Sequence, residues 1–141
     1  MQVFIPYPSP IDVARCLDGK RLRKQIAECT QILYNLDGKS TFWHKHPIFK
    51  MYKRDYMWLV YYKETLDLYN KGRIEQAELA SKEADAIRPT FITDGLCDQH
   101  KRRLYTKAPH LYPQFAEYGT SDVNWYVVDG ELWKFVDKKR I

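Results

Sequence analysis

Between Pro47 and about Lys71 the chain carries its longest uninterrupted helical pattern, with Phe49, Tyr52, Tyr56, Leu59 and Leu66 at helical intervals. Trp58 and Tyr62 widen the apolar face, which marks this segment as the expected central core helix of a mainly α fold. Elements on either side are read in relation to it.

QVFIPYPSP is too rich in proline to be helical, and residues before proline are pushed to extended backbone, so an extended N-terminal segment is expected to lie across the body. Ser9-Pro10-Ile11-Asp12 reads as a helix start, with Ser9 as N-cap, Pro10 at the first helical position and Asp12 placed for a capping box. This helix should run to about Leu17, break near Asp18-Gly19 and restart as a longer one. There Leu22, Ile26, Cys29 and Leu33 form a core stripe, while Arg21, Lys24, Gln25, Glu28 and Gln31 share a polar face. Asp37-Gly38 ends it, and a loop passes through His44 and His46 to Pro47.

Gly72 stops the central helix, and RIEQAELASKEADAI is a strong, exposed helix former up to Pro89. Thr93 to Cys97 reads as loop, DQHKRRLYTKAP as a short basic helix, and another helical turn carries Tyr112 and Phe115. In WYVV-DG-ELWKFV, Asp129-Gly130 separates two β-branched and aromatic runs, which predicts a hairpin at about 124–136. At 141 residues there is room for one core, so the expectation is a single compact helical domain over residues 1–141, with a C-terminal β-hairpin.

Lys and Arg number 23 against 18 Asp and Glu, a net charge of +5 that permits a nucleic-acid or phosphate partner without requiring one. Aromatic residues make up 15%, including 11 Tyr, which implies either hydrogen-bonded rings in the core or exposed stacking surfaces. Cys16, Cys29 and Cys97 are odd in number and widely spaced, against a disulfide framework or zinc ribbon. His44, His46, His100 and His110 lack acidic or cysteine partners at a ligand spacing, so no metal and no cofactor is expected. With no leader and no apolar run long enough to span a bilayer, the expected setting is the cytoplasm, away from membranes.

No glycine-rich phosphate loop, nucleophile elbow or dinucleotide fingerprint is present. What remains is LDGKRLRKQIAEC, where Glu28 stands among Lys20, Arg21, Arg23 and Lys24. Glu28 with Lys20 or Lys24 could pair a nucleophilic amine with a carboxylate that manages protons, although Lys24-Glu28 is also an ordinary i, i+4 ion pair. A second basic group, His100-Lys101-Arg102-Arg103 with Lys107, suits phosphate contacts or a merely solvated helix.

Taken together, LDGKRLRKQIAE, HPIFKMY and HKRRLYTKAPHLYPQF, over roughly residues 15 to 118, resemble the pyrimidine-dimer DNA glycosylase family. Glu28 falls on the position of that family's essential glutamate. The resemblance implies an enzyme that cuts the glycosidic bond at ultraviolet photoproducts and then the abasic strand, through an amine that attacks the sugar C1′. Known members use the α-amine of a threonine exposed after methionine removal. Here residue 2 is Gln, whose bulk should leave Met1 in place, so the Met1 α-amine becomes the expected nucleophile, with Lys24 as the lysine alternative. Double-stranded DNA, damaged or modified, is the implied partner, in a bacterial or phage-infected cell. Lys20, Arg21, Arg23, His46, His100, Lys101, Arg102, Arg103 and Lys107 are the implied DNA contacts. A pyrimidine-modifying enzyme on the same scaffold, a non-catalytic nucleic-acid-binding module and a helical protein-interaction module are the other readings these residues allow.

Overall fold

A computed structural model describes residues 2–39, 46–128 and 131–135, the last five by their backbone alone. In chain order these form α1 (Pro10–Cys16), α2 (Gly19–Leu36), α3 (Pro47–Tyr52), α4 (Tyr56–Asn70), α5 (Ile74–Ala86), α6 (Asp94–Lys107), a 3-10 helix (Pro113–Tyr118), β1 (Asn124–Val128) and β2 (Glu131–Phe135). The fold is compact and mainly α.

Helix α4 is the centre and packs against α1, α2 and α5. Its Trp58, Leu59, Tyr62 and Leu66 are buried together with Ile5, Val13, Cys29, Ile32, Leu104, Tyr112 and Tyr126. The tyrosines therefore serve the core chiefly as hydrogen-bonded or stacked rings: Tyr112 lies parallel to Phe115 at 6.0 Å, and Trp58 tilts against Tyr62 at 5.1 Å.

The segment expected to be one helix from Pro47 is two, α3 and α4, parted at residues 53–55. Neither proline nor glycine causes the break; ring packing gives the reason. Tyr52 stacks on Trp58 with centroids 6.0 Å apart and planes 14° apart, and Phe91 closes edge-on against Tyr52 at 5.5 Å. Residues six apart on a straight helix point roughly 120° away from each other, so the two rings could not stack without the turn. At its other end α4 stops in a Schellman turn: Gly72 takes φ 79°, and Arg73 N–H donates to the Leu68 carbonyl at 2.9 Å.

Two helix starts differ from expectation. Ser9 holds the N-cap position of α1, but its side chain makes no cap bond; its hydroxyl instead donates to the Asp85 carboxylate at 2.9 Å, and Ser81 Oγ of α5 accepts from Ile11 N–H at 3.0 Å. A neighbouring helix thus replaces the expected capping box. Helix α6 begins at Asp94, where a loop to Cys97 was expected, because Thr93 Oγ1 caps Leu96 N–H at 3.3 Å and Leu96 and Cys97 are buried.

Strands β1 and β2 pair antiparallel, with Asn124 opposite Phe135 and Val128 opposite Glu131. The connecting Asp129-Gly130 lies outside the described residues. Asn124, Tyr126 and Val128 face inward with strand periodicity, and α3 and α6 pack on β1.

Candidate active site

Asp18 starts the site by starting α2. Its carboxylate accepts from Arg21 N–H at 3.4 Å as N-cap, pairs with the Arg21 guanidinium at 3.2 Å, and accepts a short hydrogen bond from the Tyr112 hydroxyl. Burial alone would raise the Asp18 pKa; the hydrogen bonds from Tyr112 and Arg21 outweigh it and hold the carboxyl below its ordinary value. Arg21, which also lies 5.8 Å from the Tyr112 ring centroid, is thereby fixed at the head of the helix.

From there the i, i+3 and i, i+4 spacings of α2 carry Lys20, Arg21, Lys24, Gln25 and Glu28 into one pocket. The pocket, about 360 Å³, is closed by Gln2 and Phe4 of the N-terminal segment, Lys107 of α6 and Asn124 of β1. One half-buried carboxylate therefore faces the side chains of Lys20, Arg21, Lys24 and Lys107. Burial first, then the charges of Arg103, Lys24 and Arg21, lower the Lys107 pKa, with Glu28 acting in the opposite sense. A pocket of this kind can hold an anion and supply both a proton-transfer group and amines.

Gln2 and Phe4 reach the pocket because side chains from three helices bind the N-terminal backbone. Gln25 Nε2 donates to the Gln2 carbonyl at 3.0 Å, and Gln25 Oε1 accepts from Phe4 N–H at 2.8 Å. Tyr62 donates to the Phe4 carbonyl at 2.6 Å, and His100 Nδ1 accepts from Ile5 N–H at 2.6 Å. With Nδ1 accepting, the ring proton lies on Nε2. Phe4 also packs edge-on against the imidazole at 5.9 Å.

Several expected site residues stand elsewhere. His100 is only 1% exposed, so it does not belong among the phosphate contacts. The Lys101 ammonium sits between the Tyr7 and Tyr118 rings at 5.0 and 4.7 Å and pairs with Asp98 at 3.6 Å, an internal role in place of the expected external one. Arg102 turns its Nε–H to the Tyr118 carbonyl at 2.5 Å. Arg103 donates to Asn124 Oδ1 at 3.1 Å and so borders the pocket through a lining residue. Arg23 is exposed and is not part of the lining. His46 caps α3, with Nδ1 accepting from Ile48 N–H at 3.1 Å, and meets Tyr126 edge-on at 5.3 Å. Met1, expected to supply the amine, lies outside the described residues, as does His44.

Gln2, Phe4, Gln25 and Asn124 were not anticipated. For Gln25 a signal existed: it lies three residues after Leu22 and four before Cys29, on the buried stripe, and is 2% exposed.

A larger cavity of about 670 Å³, lined by residues that include Lys50, Arg54, Asp55, Phe91 and Gln99, shares no lining residue with the first. The smaller pocket is the better site on chemistry, since it alone of the two combines several amines with an acid and the N-terminal segment. Among the described residues no group of three or more His, Cys, Asp or Glu is placed to hold a metal, and no helix is long and apolar enough to cross a membrane.

Burial drives the His100 pKa down to about 3, while hydrogen bonding with the Trp125 carbonyl acts to raise it. Folded His100 is thus neutral where the unfolded side chain, with a value near 6.5, takes up a proton. Its contribution to stability is complete above pH about 6.5 and falls as pH drops toward 3, at up to about 1.4 kcal/mol per pH unit. Urea unfolding between pH 7 and 4 should show this acid limb, and His100→Gln should flatten it; equal slopes in both proteins would assign the limb to other groups.

Fold and pocket define a mainly α-helical protein with one carboxylate set among cations. The family model described as pyrimidine dimer DNA glycosylase matches residues 1–68, so the chain is similar to that family over this stretch. All of the pocket's lining residues except Lys107 and Asn124 fall within the match. At family level this supports a pyrimidine dimer glycosylase-like function, and DNA is the substrate the family implies. No curated protein and no solved structure matches the chain.

Proposed function

We propose that the protein is a DNA base-excision enzyme that cleaves the glycosidic bond through an amine nucleophile and Glu28, and then opens the strand by elimination. The observation that carries this reading is that Glu28 and Gln2, the residue bonded to Met1, line the same cationic pocket.

In the proposed reaction the neutral amine attacks C1′. A C1′–N bond forms as the glycosidic bond breaks, and the electron pair leaves with the base, which is protonated. Sugar ring opening gives an imine. Loss of a C2′ proton then feeds electrons toward the imine and expels the 3′ phosphate. Glu28 stabilises the cationic sugar and carries the protons, and Lys20, Arg21, Lys24 and Lys107 hold the flanking phosphates. An α-amine, with a reference pKa near 8, has a larger neutral fraction at neutral pH than lysine near 10.4. Lys24 and Lys107 are the amines that would replace it.

Borohydride trapping on ultraviolet-irradiated and abasic duplex DNA tests the reading. A covalent protein–DNA adduct is expected, and selective acetylation of the α-amine should abolish it. An adduct that survives acetylation but disappears in Lys24→Ala or Lys107→Ala would transfer the nucleophile to that lysine. No adduct with either substrate would overturn the imine mechanism.

A further inference from the structure

Residues 2–5 belong to no helix or strand, and the polar contacts that hold their backbone come from side chains. Gln25 bonds the Gln2 carbonyl and the Phe4 N–H, two groups on one edge of the segment, in the way a neighbouring strand would. Tyr62 takes the Phe4 carbonyl and His100 the Ile5 N–H, so the three side chains come from α2, α4 and α6. All three are buried, Gln25 at 2%, Tyr62 at 0% and His100 at 1% exposed. Anchoring alone needs less, because Val3 and Ile5 on the same segment are already 1% and 0% exposed. Apolar contacts hold a segment without fixing its register closely; directional bonds to named backbone atoms do fix it.

Gln25 and Glu28 stand three residues apart on α2, and side chains with that spacing are neighbours on one helical turn. The same turn therefore grips the N-terminal backbone and presents the acid. We propose that Gln25 is a positioning residue for the excision reaction: with Tyr62 and His100 it sets the register of the N-terminal segment, and so the reach of its amine toward Glu28. This rests on the amine mechanism proposed above. A slip of one residue moves an extended chain by ~3.3 Å and reverses its faces, enough to take an amine out of hydrogen-bond or one-water reach of a carboxylate.

The test compares wild type with Gln25→Met, which keeps length and loses both bonds, and Gln25→Glu, which keeps the acceptor for Phe4 N–H and loses the donor to the Gln2 carbonyl. Single-turnover trapping on abasic duplex, duplex affinity and thermal unfolding are measured for each. Gln25→Met should trap about 10²-fold more slowly at saturating DNA, with duplex affinity unchanged, and Gln25→Glu should fall between it and wild type. A small exogenous amine should restore strand cleavage in Gln25→Met, because Glu28 and the phosphate contacts are still in place. If Gln25→Met does not fold, Gln25→Glu carries the comparison. Trapping at the wild-type rate in a folded variant, or a loss of rate and affinity in proportion with no amine rescue, would overturn the positioning role. An absence of trapping in wild type would instead overturn the amine mechanism, and the positioning role with it.

Discussion

Glu28→Gln is expected to slow base excision in single turnover by about 10²–10⁴-fold, the range typical of losing a positioned acid–base group, while duplex affinity is retained or increased. The amide has nearly the same shape and can still hydrogen-bond, but it cannot carry a proton or balance a developing positive charge. Affinity should not fall, because the substitution removes the carboxylate from a pocket whose other charged residues are Lys20, Arg21, Lys24 and Lys107. DNA phosphates then meet less repulsion. A glutamate present only as a counter-ion to those cations would give the opposite pattern, with a small change in melting temperature and an unchanged rate.

The same variant separates the readings the sequence left open. A non-catalytic binding module has no excision rate to lose; a pyrimidine-modifying enzyme on this scaffold would depend on Glu28 but need no free N-terminal amine, so acetylating that amine tells it apart. Wild-type excision by Glu28→Gln would remove the carboxylate from the chemistry altogether. It would leave the cationic pocket as a binding feature.

Much of the fold was legible because it is written in local periodicity. The stripe of Leu22, Ile26, Cys29 and Leu33, the stop at Gly72 and the C-terminal hairpin each follow from spacing or turn residues within one element, and they are found, with Ile26 only partly buried. Part of what failed depends on contacts between elements. The turn at 53–55 has no local signal and exists because Tyr52 must stack on Trp58. The cap of α1 comes from Ser81 on α5, seventy residues away from the Ile11 N–H it serves.

As for the candidate site, Lys20, Arg21, Lys24 and Glu28 line one pocket because a single helix spaces them, and Lys107 joins them from α6. It overestimated the segment from His100 to Arg102. A run of basic residues reads as one charged surface, but a helix turns successive residues 100° apart, and here His100 faces the N-terminal segment while Lys101 and Arg102 turn to Tyr118. Gln25 was grouped with the polar face of α2, although its position on the stripe indicated burial. A polar residue at a core position is informative: it needs a partner, and its partners here are the backbone groups of Gln2 and Phe4.

That division of the cations leads to the second large effect. The double variant Lys24→Gln, Lys107→Gln should bind duplex DNA about 10²-fold more weakly at low salt, as expected for two lost charge-assisted contacts. The dependence of log affinity on log salt should become shallower by roughly 0.9 for each phosphate contact removed. Lys101→Gln supplies the contrast. Its ammonium is held by Tyr7, Tyr118 and Asp98 with a side chain 13% exposed, and its pKa is raised although burial alone would lower it, because the Tyr118 hydroxyl and Asp98 favour the charged form. Removing that charge should lower the melting temperature and leave the salt dependence unchanged. If Lys101→Gln changed the salt slope as the double variant does, the DNA contact would extend to the 3-10 helix, and the internal role of Lys101 would be overturned.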